Sequence, residues 1–335
     1  MLKIDKKRNK KNWWNILKKV VDMNEFPVFV VLVVITTIWL IISPLLRNIS
    51  ALLDLCREIS PNIITVIGIG MLMIGGEFDL TVGSLLAVVG VSTAVLFNYT
   101  NNIYLSIGIS LLSGILIGLF NSFLVNRLKV NSLIATLAMM FALRGLVYVY
   151  TGKVAIATSG LPNGFKSLYY GSIGGIPIPF LVAIILLTFF HFVMTRTSYG
   201  RNIFAIGGNY NAALAAGISI RKIKLTLFII CSLLSSISAI LIVAQTSTGF
   251  FDVGSTGWEL TAITACVLGG LSLGGGEGSL FAAVLGMFIL GLTNKGLRLM
   301  GVYTTFVLVV NGLIMIFSLY AYQLKKMTLT YKKFN

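Results

Sequence analysis

Uncharged apolar runs of about 20 residues, the length that crosses a bilayer as a helix, recur in this chain from residue 28 to residue 320. With 57% of residues apolar and 11% charged, the balance is one that no water-soluble domain of this length needs for its core. The pattern predicts an all-α fold, a polytopic transmembrane helical bundle. Its spans are expected near 28–46, 61–76, 83–97, 103–125, 131–151, 178–195, 223–246, 258–272, 278–294 and 301–320. That makes about ten. The glycine-rich stretches near 75 and 275 leave open a second reading there, as re-entrant segments.

A formal charge of +16 would suggest nucleic acid if it covered one face of a folded domain. Here the cations sit between apolar runs, so no nucleic-acid partner is expected. Eight of the 26 Lys and Arg fall within the first 27 residues, and Lys325, Lys326, Lys332 and Lys333 close the chain. Lys and Arg favour the cytoplasmic side, and an even number of spans places both basic ends there. Inside segments then hold 19 of the cations and outside segments six. The expected layout is a cytoplasmic extension at 1–27, a membrane domain at 28–320, a cytoplasmic loop at 196–224 within it, and a basic cytoplasmic tail at 321–335. The first apolar run exceeds a usual signal-peptide core and is read as a retained helix.

Two stretches carry related text, as in transporters built by internal duplication. Residues 74–87 around Gly-Gly-Glu-Phe-Asp-Leu resemble 268–283 around Gly-Gly-Leu-Ser-Leu, and 118–121 resemble 291–294. The spacing between the paired blocks differs by about one helix, so the duplication is partial.

Little here suggests covalent chemistry. The single histidine, His191, lies in an apolar run without a neighbouring carboxylate, and the nearest Gly-Lys pair, Gly152 and Lys153, is followed by Val154 rather than Ser or Thr. That excludes a phosphate-binding loop. Cys56, Cys231 and Cys266 are isolated, which fits packing rather than a disulfide framework or a metal site. No catalytic residue, metal or cofactor is expected.

The polar segment from Thr197 to Lys224 is the most informative. Gly207, Gly208 and Asn209 break the chain, Asn209 can cap a helix, residues 210–216 are mostly alanine, and Gly217 can end the helix in a left-handed turn. A docking helix for a partner and an ordinary loop helix both fit these residues. At membrane depth, polar side chains face protein or water. Asn121, Asn131, Arg144, Gln245, Asn294 and Asn311 form the pool from which a translocation path could draw, with helix-to-helix hydrogen bonding as the competing use. Glu77, Asp79 and Glu277 stand beside glycine-rich breaks, where they fit helix capping or ion pairing, with a proton relay as the alternative. Gly114 and Gly118 fit close helix packing.

Four blocks resemble, in order, the ribose-type branch of permease subunits of bacterial ABC importers. They are Gly-Gly-Glu-Phe-Asp-Leu-Thr-Val-Gly-Ser at 75–84, Ala-Thr-Leu-Ala-Met-Met-Phe-Ala-Leu-Arg-Gly at 135–145, Gly-Arg-Asn-Ile-Phe-Ala-Ile-Gly-Gly-Asn at 200–209, and Leu-Gly-Gly-Leu-Ser-Leu-Gly-Gly-Gly-Glu-Gly-Ser at 268–279. The likeness covers roughly residues 60–320. Within it, Asn211, Ala212, Ala213 and Gly217 resemble the coupling motif of these permeases, with Asn211 where the wider family favours Glu. The resemblance implies a non-enzymatic subunit that moves a monosaccharide through the inner membrane. Its implied partners are a second permease subunit forming a homodimer, a cytoplasmic ABC ATPase that uses the ATP, and an extracytoplasmic sugar-binding protein. The same branch implies a nucleoside or a furanosyl signalling molecule as alternative cargo, and an ion-coupled carrier or a non-transporting scaffold are the competing classes.

Overall fold

The computed structural model describes residues 25–255 and 257–334. Most of the basic extension expected at 1–27 therefore lies outside the described residues. Each expected span holds a helix. In chain order these are α1 (Phe26–Ile42), α2 (Ile49–Ile74), α3 (Val82–Thr100), α4 (Ile103–Asn126) and α5 (Ser132–Thr151), then α7 (Ile178–Arg196), α10 (Ile220–Thr246), α11 (Trp258–Leu268), α12 (Leu280–Leu299) and α13 (Thr304–Phe334). Between them stand three short helices, α6 (Asn163–Tyr170), α8 (Ser198–Gly208) and α9 (Tyr210–Ala215). Among the described residues, strand is confined to two-residue pairings, Ile156–Ala157 with Thr248–Gly249 and Ser172–Ile173 with Ile176–Pro177.

Seven of these helices are long and apolar enough to cross a membrane, while α1, α11 and the apolar part of α13 are shorter. The count of ten is reached only by including those three. Asparagines set several starts: the Oδ1 of Asn48, Asn102 and Asn131 accepts backbone N–H groups from the first turns of α2, α4 and α5, satisfying amides that lack an intrahelical partner. α2 begins at Ile49, well ahead of the expected 61. Asp54, Arg57 and Glu58 depress the hydropathy of its first turns, and Pro61 is carried inside the helix. There Glu58 accepts from Lys295 at 3.4 Å and Arg298 at 3.1 Å at the end of α12.

α2 and α10 form the centre. α10 packs on α2, α3 and α4, and α2 also meets α7, α11 and α12. Small residues permit this closeness. A Cβ on Gly68 would lie 2.9 Å from the Cys231 backbone, and one on Gly118 would lie 2.8 Å from the Phe228 carbonyl. Gly114 faces Ser236 in the same seam. Several serines of α10 turn inward, Ser235 and Ser236 donating to carbonyls one turn back, while the buried Ser232 hydroxyl has no partner. On the periphery α4, α5 and α7 expose Leu112, Leu116, Phe141, Leu146, Ile185 and Phe189, a surface suited to lipid.

The repeated text at 74–87 and 268–283 is matched in backbone geometry at one turn. After α2, the N–H groups of Gly75, Gly76 and Glu77 donate to Met71, Met73 and Leu72; after α11, those of Gly269, Gly270 and Leu271 donate to Ala265, Val267 and Cys266. Gly76 and Gly270 take φ of 78° and 81°, left-handed values that favour glycine. Two helices thus end in the same glycine turn, each followed by irregular chain, 75–81 and 269–279.

Candidate coupling site

α8 is pinned before α9 begins. Thr197 caps it by accepting from the Gly200 N–H at 3.2 Å, Ile203 and Ile206 are buried beneath it, and the Tyr199 hydroxyl meets Thr226 of α10 at 2.6 Å. Burial pushes the Tyr199 phenol up, opposed by that hydrogen bond, so the group stays protonated. α8 runs through Gly208, and the break expected at Gly207, Gly208 and Asn209 falls at Asn209 alone, which is extended with φ −156°.

The two glycines serve contact instead. A Cβ on Gly207 would overlap the Ile74 carbonyl and the Gly276 N–H, and one on Gly275 would lie 2.8 Å from the Gly76 Cα. The Gly276 N–H itself donates to the Ile74 carbonyl at 2.8 Å. Three segments therefore meet backbone to backbone: the end of α2, the last turn of α8, and the loop before α12.

From this junction α9 projects. The Asn209 Oδ1 accepts from the Ala212 N–H at 3.0 Å, Ala213 is buried, and Asn211, Ala212 and Leu214 are exposed. Gly217 closes the helix at φ 76°, with its own N–H donating to Leu214 and the N–H of Ile218 to Ala213. Beside α9 lies a cleft of about 790 Å³, lined by Tyr210 and Leu214 of α9, Glu77 and Phe78, and the cations Lys129, Arg221, Lys222 and Lys224. Glu77 pairs with Lys224 across it, and that ammonium sits 5.3 Å from the Tyr210 ring centroid. Further in, the buried Asp79 accepts from the Thr81 N–H at 2.8 Å and from the Thr81 hydroxyl, in the turn that leads into α3. Glu77 thus takes the pairing role, whereas Asp79 orders the turn before α3 and no side chain caps that helix. The Asn121 Nδ2 donates to Thr81 at 2.9 Å and approaches both Asp79 oxygens at 3.5 Å.

The six polar path candidates are not brought together. Asn121 belongs to the Asp79 cluster, and Asn131 is exposed as the cap of α5. Arg144 donates to the Val253 carbonyl at 2.8 Å, and the Gln245 carbonyl accepts from Tyr170. Asn294 on α12 and Asn311 on α13 each keep a buried Oδ1 without a partner. What the sequence did not disclose is the Gly207–Ile74–Gly276 junction. Its signal is there in the glycines at 75–76, 207–208 and 274–276, but bringing these runs together needs the fold.

The sequence matches the family described as branched-chain amino acid transport system / permease component over residues 51–319. The ribose import permease protein RbsC of Escherichia coli strain K12 is 34% identical over 292 residues, covering 86% of this chain and 90% of the relative. The L-arabinose transport system permease protein AraH of the same strain is 35% identical over 253 residues, covering 75% and 76%. Bacillus subtilis RbsC is 31% identical over 296 residues, covering 88% and 92%. No solved structure matches.

Proposed function

The chain belongs to the permease-component family of branched-chain amino acid transport systems, and from that membership we propose that it is the translocation subunit of an ATP-driven importer for a monosaccharide. Relatives named for ribose and for L-arabinose make a pentose the first cargo to try. Two copies form the path, a separate ATPase binds and hydrolyses ATP on the cytoplasmic side, and an external binding protein delivers the sugar. Both basic ends, α8 and α9 face the cytoplasm, in keeping with the distribution of Lys and Arg.

The observation that carries the reading is the contact of Gly207 with Ile74 and Gly276. The exposed Asn211, Ala212 and Leu214 of α9 offer a small, capped helix to the ATPase, with the basic cleft at its side. Closure of the ATPase pair displaces α9, and α8 bears directly on the ends of α2 and of the α11–α12 loop. A rigid-body push on these backbones biases the bundle between inward and outward openings. The cargo crosses without covalent change.

Purification from native membranes with identification of the accompanying nucleotide-binding protein tests this, followed by reconstitution with that ATPase and the binding protein. Sugar uptake that requires ATP and both partners is expected. Uptake of sugar by this chain alone in liposomes would move the assignment to an ion-coupled carrier.

A further inference from the structure

A second polar locus lies at mid-bundle, away from α8 and α9. After α10 the chain does not turn straight into another full span. Gly249 packs on Gly90, Val91 and Ala94 of α3, and Gly254 packs on Gly83 of the same helix, so residues 249–254 descend about 12 Å along α3 at 1.5 Å per helical residue. α11 then starts deep: the Trp258 indole N–H donates at 3.3 Å to Thr65, in the middle of α2. With eleven residues, α11 rises about 16 Å, half of a ~30 Å hydrocarbon core. It is a half-helix fed by an irregular re-entrant segment. Aligned on the repeated glycine turns, its start falls opposite the turn of α2 that follows Pro61.

Irregular backbone at membrane depth occurs only where protein buries it or water reaches it. In this chain Phe250, Asp252 and Ser255 of the segment are exposed, so lipid cannot be what they face. Charge gathers at the same level. Glu259, in the first turn of α11, is 9% exposed and its Oε2 has no hydrogen-bond partner. Its carboxylate presses on Gly83, where a Cβ would overlap it. Arg144 of α5 reaches the Val253 carbonyl at 2.8 Å and acts electrostatically with Glu259 and Asp252. Ionisable side chains at this depth mark substrate pathways when they converge on irregular backbone.

We infer that residues 250–255, with Trp258, Glu259 and Arg144, line the translocation path at mid-membrane and form its contact for an uncharged, polyhydroxylated sugar. The free Glu259 oxygen accepts from a sugar hydroxyl, the guanidinium donates to a hydroxyl or ring oxygen, and Trp258 offers an apolar face to sugar C–H groups. Here Gly83 and Gly254 close over the carboxylate, so the sugar enters only when α3 and the segment part. The inference rests on the importer reading and assigns it a specific site.

The test uses the full complex in proteoliposomes, with Cys56→Ser removing the partly accessible cysteine while Cys231 and Cys266 are buried. Ser255→Cys is treated with a hydrophilic maleimide beside the control Leu116→Cys on the exposed apolar face of α4. Reaction at least tenfold faster at 255, slowed severalfold by sugar-loaded binding protein, is expected. In parallel, Glu259→Gln is expected to lower ATP-driven uptake tenfold or more with the complex still assembled. Labelling at 255 no faster than at 116, with and without ATP, overturns the water-lined path. Oxidative cross-linking of two copies through 255 without labelling assigns the segment to a subunit contact and overturns it equally. Normal uptake by Glu259→Gln removes the carboxylate from the site. In each of these cases the unmutated complex still takes up sugar; if it takes up none, the importer reading itself fails.

Discussion

Gly207→Ala is the sharpest perturbation of the coupling site. The added methyl would overlap the Ile74 carbonyl and the Gly276 N–H, both backbone atoms, so no side chain can swing aside. Overpacking of a tight contact costs typically ~1–3 kcal/mol. Loss of the 2.8 Å Gly276-to-Ile74 hydrogen bond adds about 1 kcal/mol. The junction is therefore weakened by about 2–4 kcal/mol, which at 1.4 kcal/mol per tenfold is roughly 30- to 700-fold in any equilibrium that depends on it. Gly208→Ala is the matched control, since its Cβ would meet nothing nearer than 4.0 Å. Both are reconstituted with the ATPase and binding protein, and uptake per ATP hydrolysed is measured alongside thermal stability in detergent. Uptake per ATP is expected to fall more than tenfold in Gly207→Ala and to stay within about twofold of native in Gly208→Ala. If Gly207→Ala keeps native stability and native uptake per ATP, the backbone junction is not the route from α9 to α2 and the reasoning is wrong.

Gly217→Val forces a β-branched residue into φ 76°, at a cost above the ~1–2 kcal/mol of an ordinary residue there; ATP hydrolysis without matching uptake is expected, and Gly217→Asn should retain more activity in the same assay. Lys224→Met leaves the partly buried Glu77 carboxylate without its partner, which costs about 3–5 kcal/mol where burial is complete and less here; lowered thermal stability is expected, with partial recovery in Glu77→Gln/Lys224→Met. Gly118→Leu drives a side chain at the Phe228 carbonyl and Ser232 of α10, and loss of folded protein from the membrane fraction on an immunoblot is the expected outcome.

Most of the helical layout could be read from the chain because apolar runs report burial in lipid or protein directly. Two things distorted the boundaries. Asp54, Arg57 and Glu58 hid the first half of α2 from hydropathy, since ion pairing with Arg298 and Lys295 is a tertiary fact. The glycine turn after α11 ends that helix at Leu268 rather than at the expected 272, because Gly270 at φ 81° breaks the helix before its apolar residues run out. α9 was legible at its start and to within a residue at its end, Ala215, since the signals are local: Asn209 bonds within the next turn and Gly217 needs only its own φ. Glu259 escaped notice for the opposite reason. In sequence it is one acid inside an apolar run, and only the descent of residues 249–254 along α3 shows its carboxylate against Gly83, on the segment that Arg144 reaches at Val253.

The two glycine turns also separate what the halves share from what distinguishes them. Both end a helix with the same three backbone bonds, and both are followed by irregular chain, so each half carries one joint at the end of the bundle where α8 arrives. They differ at the other end of that helix. α2 continues through Pro61 to Ile49, held by the Thr65 and Ser238 hydroxyls on the Pro61 carbonyl, whereas α11 stops at Trp258 and the chain above it is irregular. A displacement applied at Gly207 reaches both joints together. On one side it meets a continuous helix of 26 residues that moves as a rod. On the other it meets an eleven-residue half-helix with no rod above it, so under the proposed coupling the same push falls on residues 249–255. Under the coupling proposed above, that segment, rather than α2, is where the bundle has room to yield.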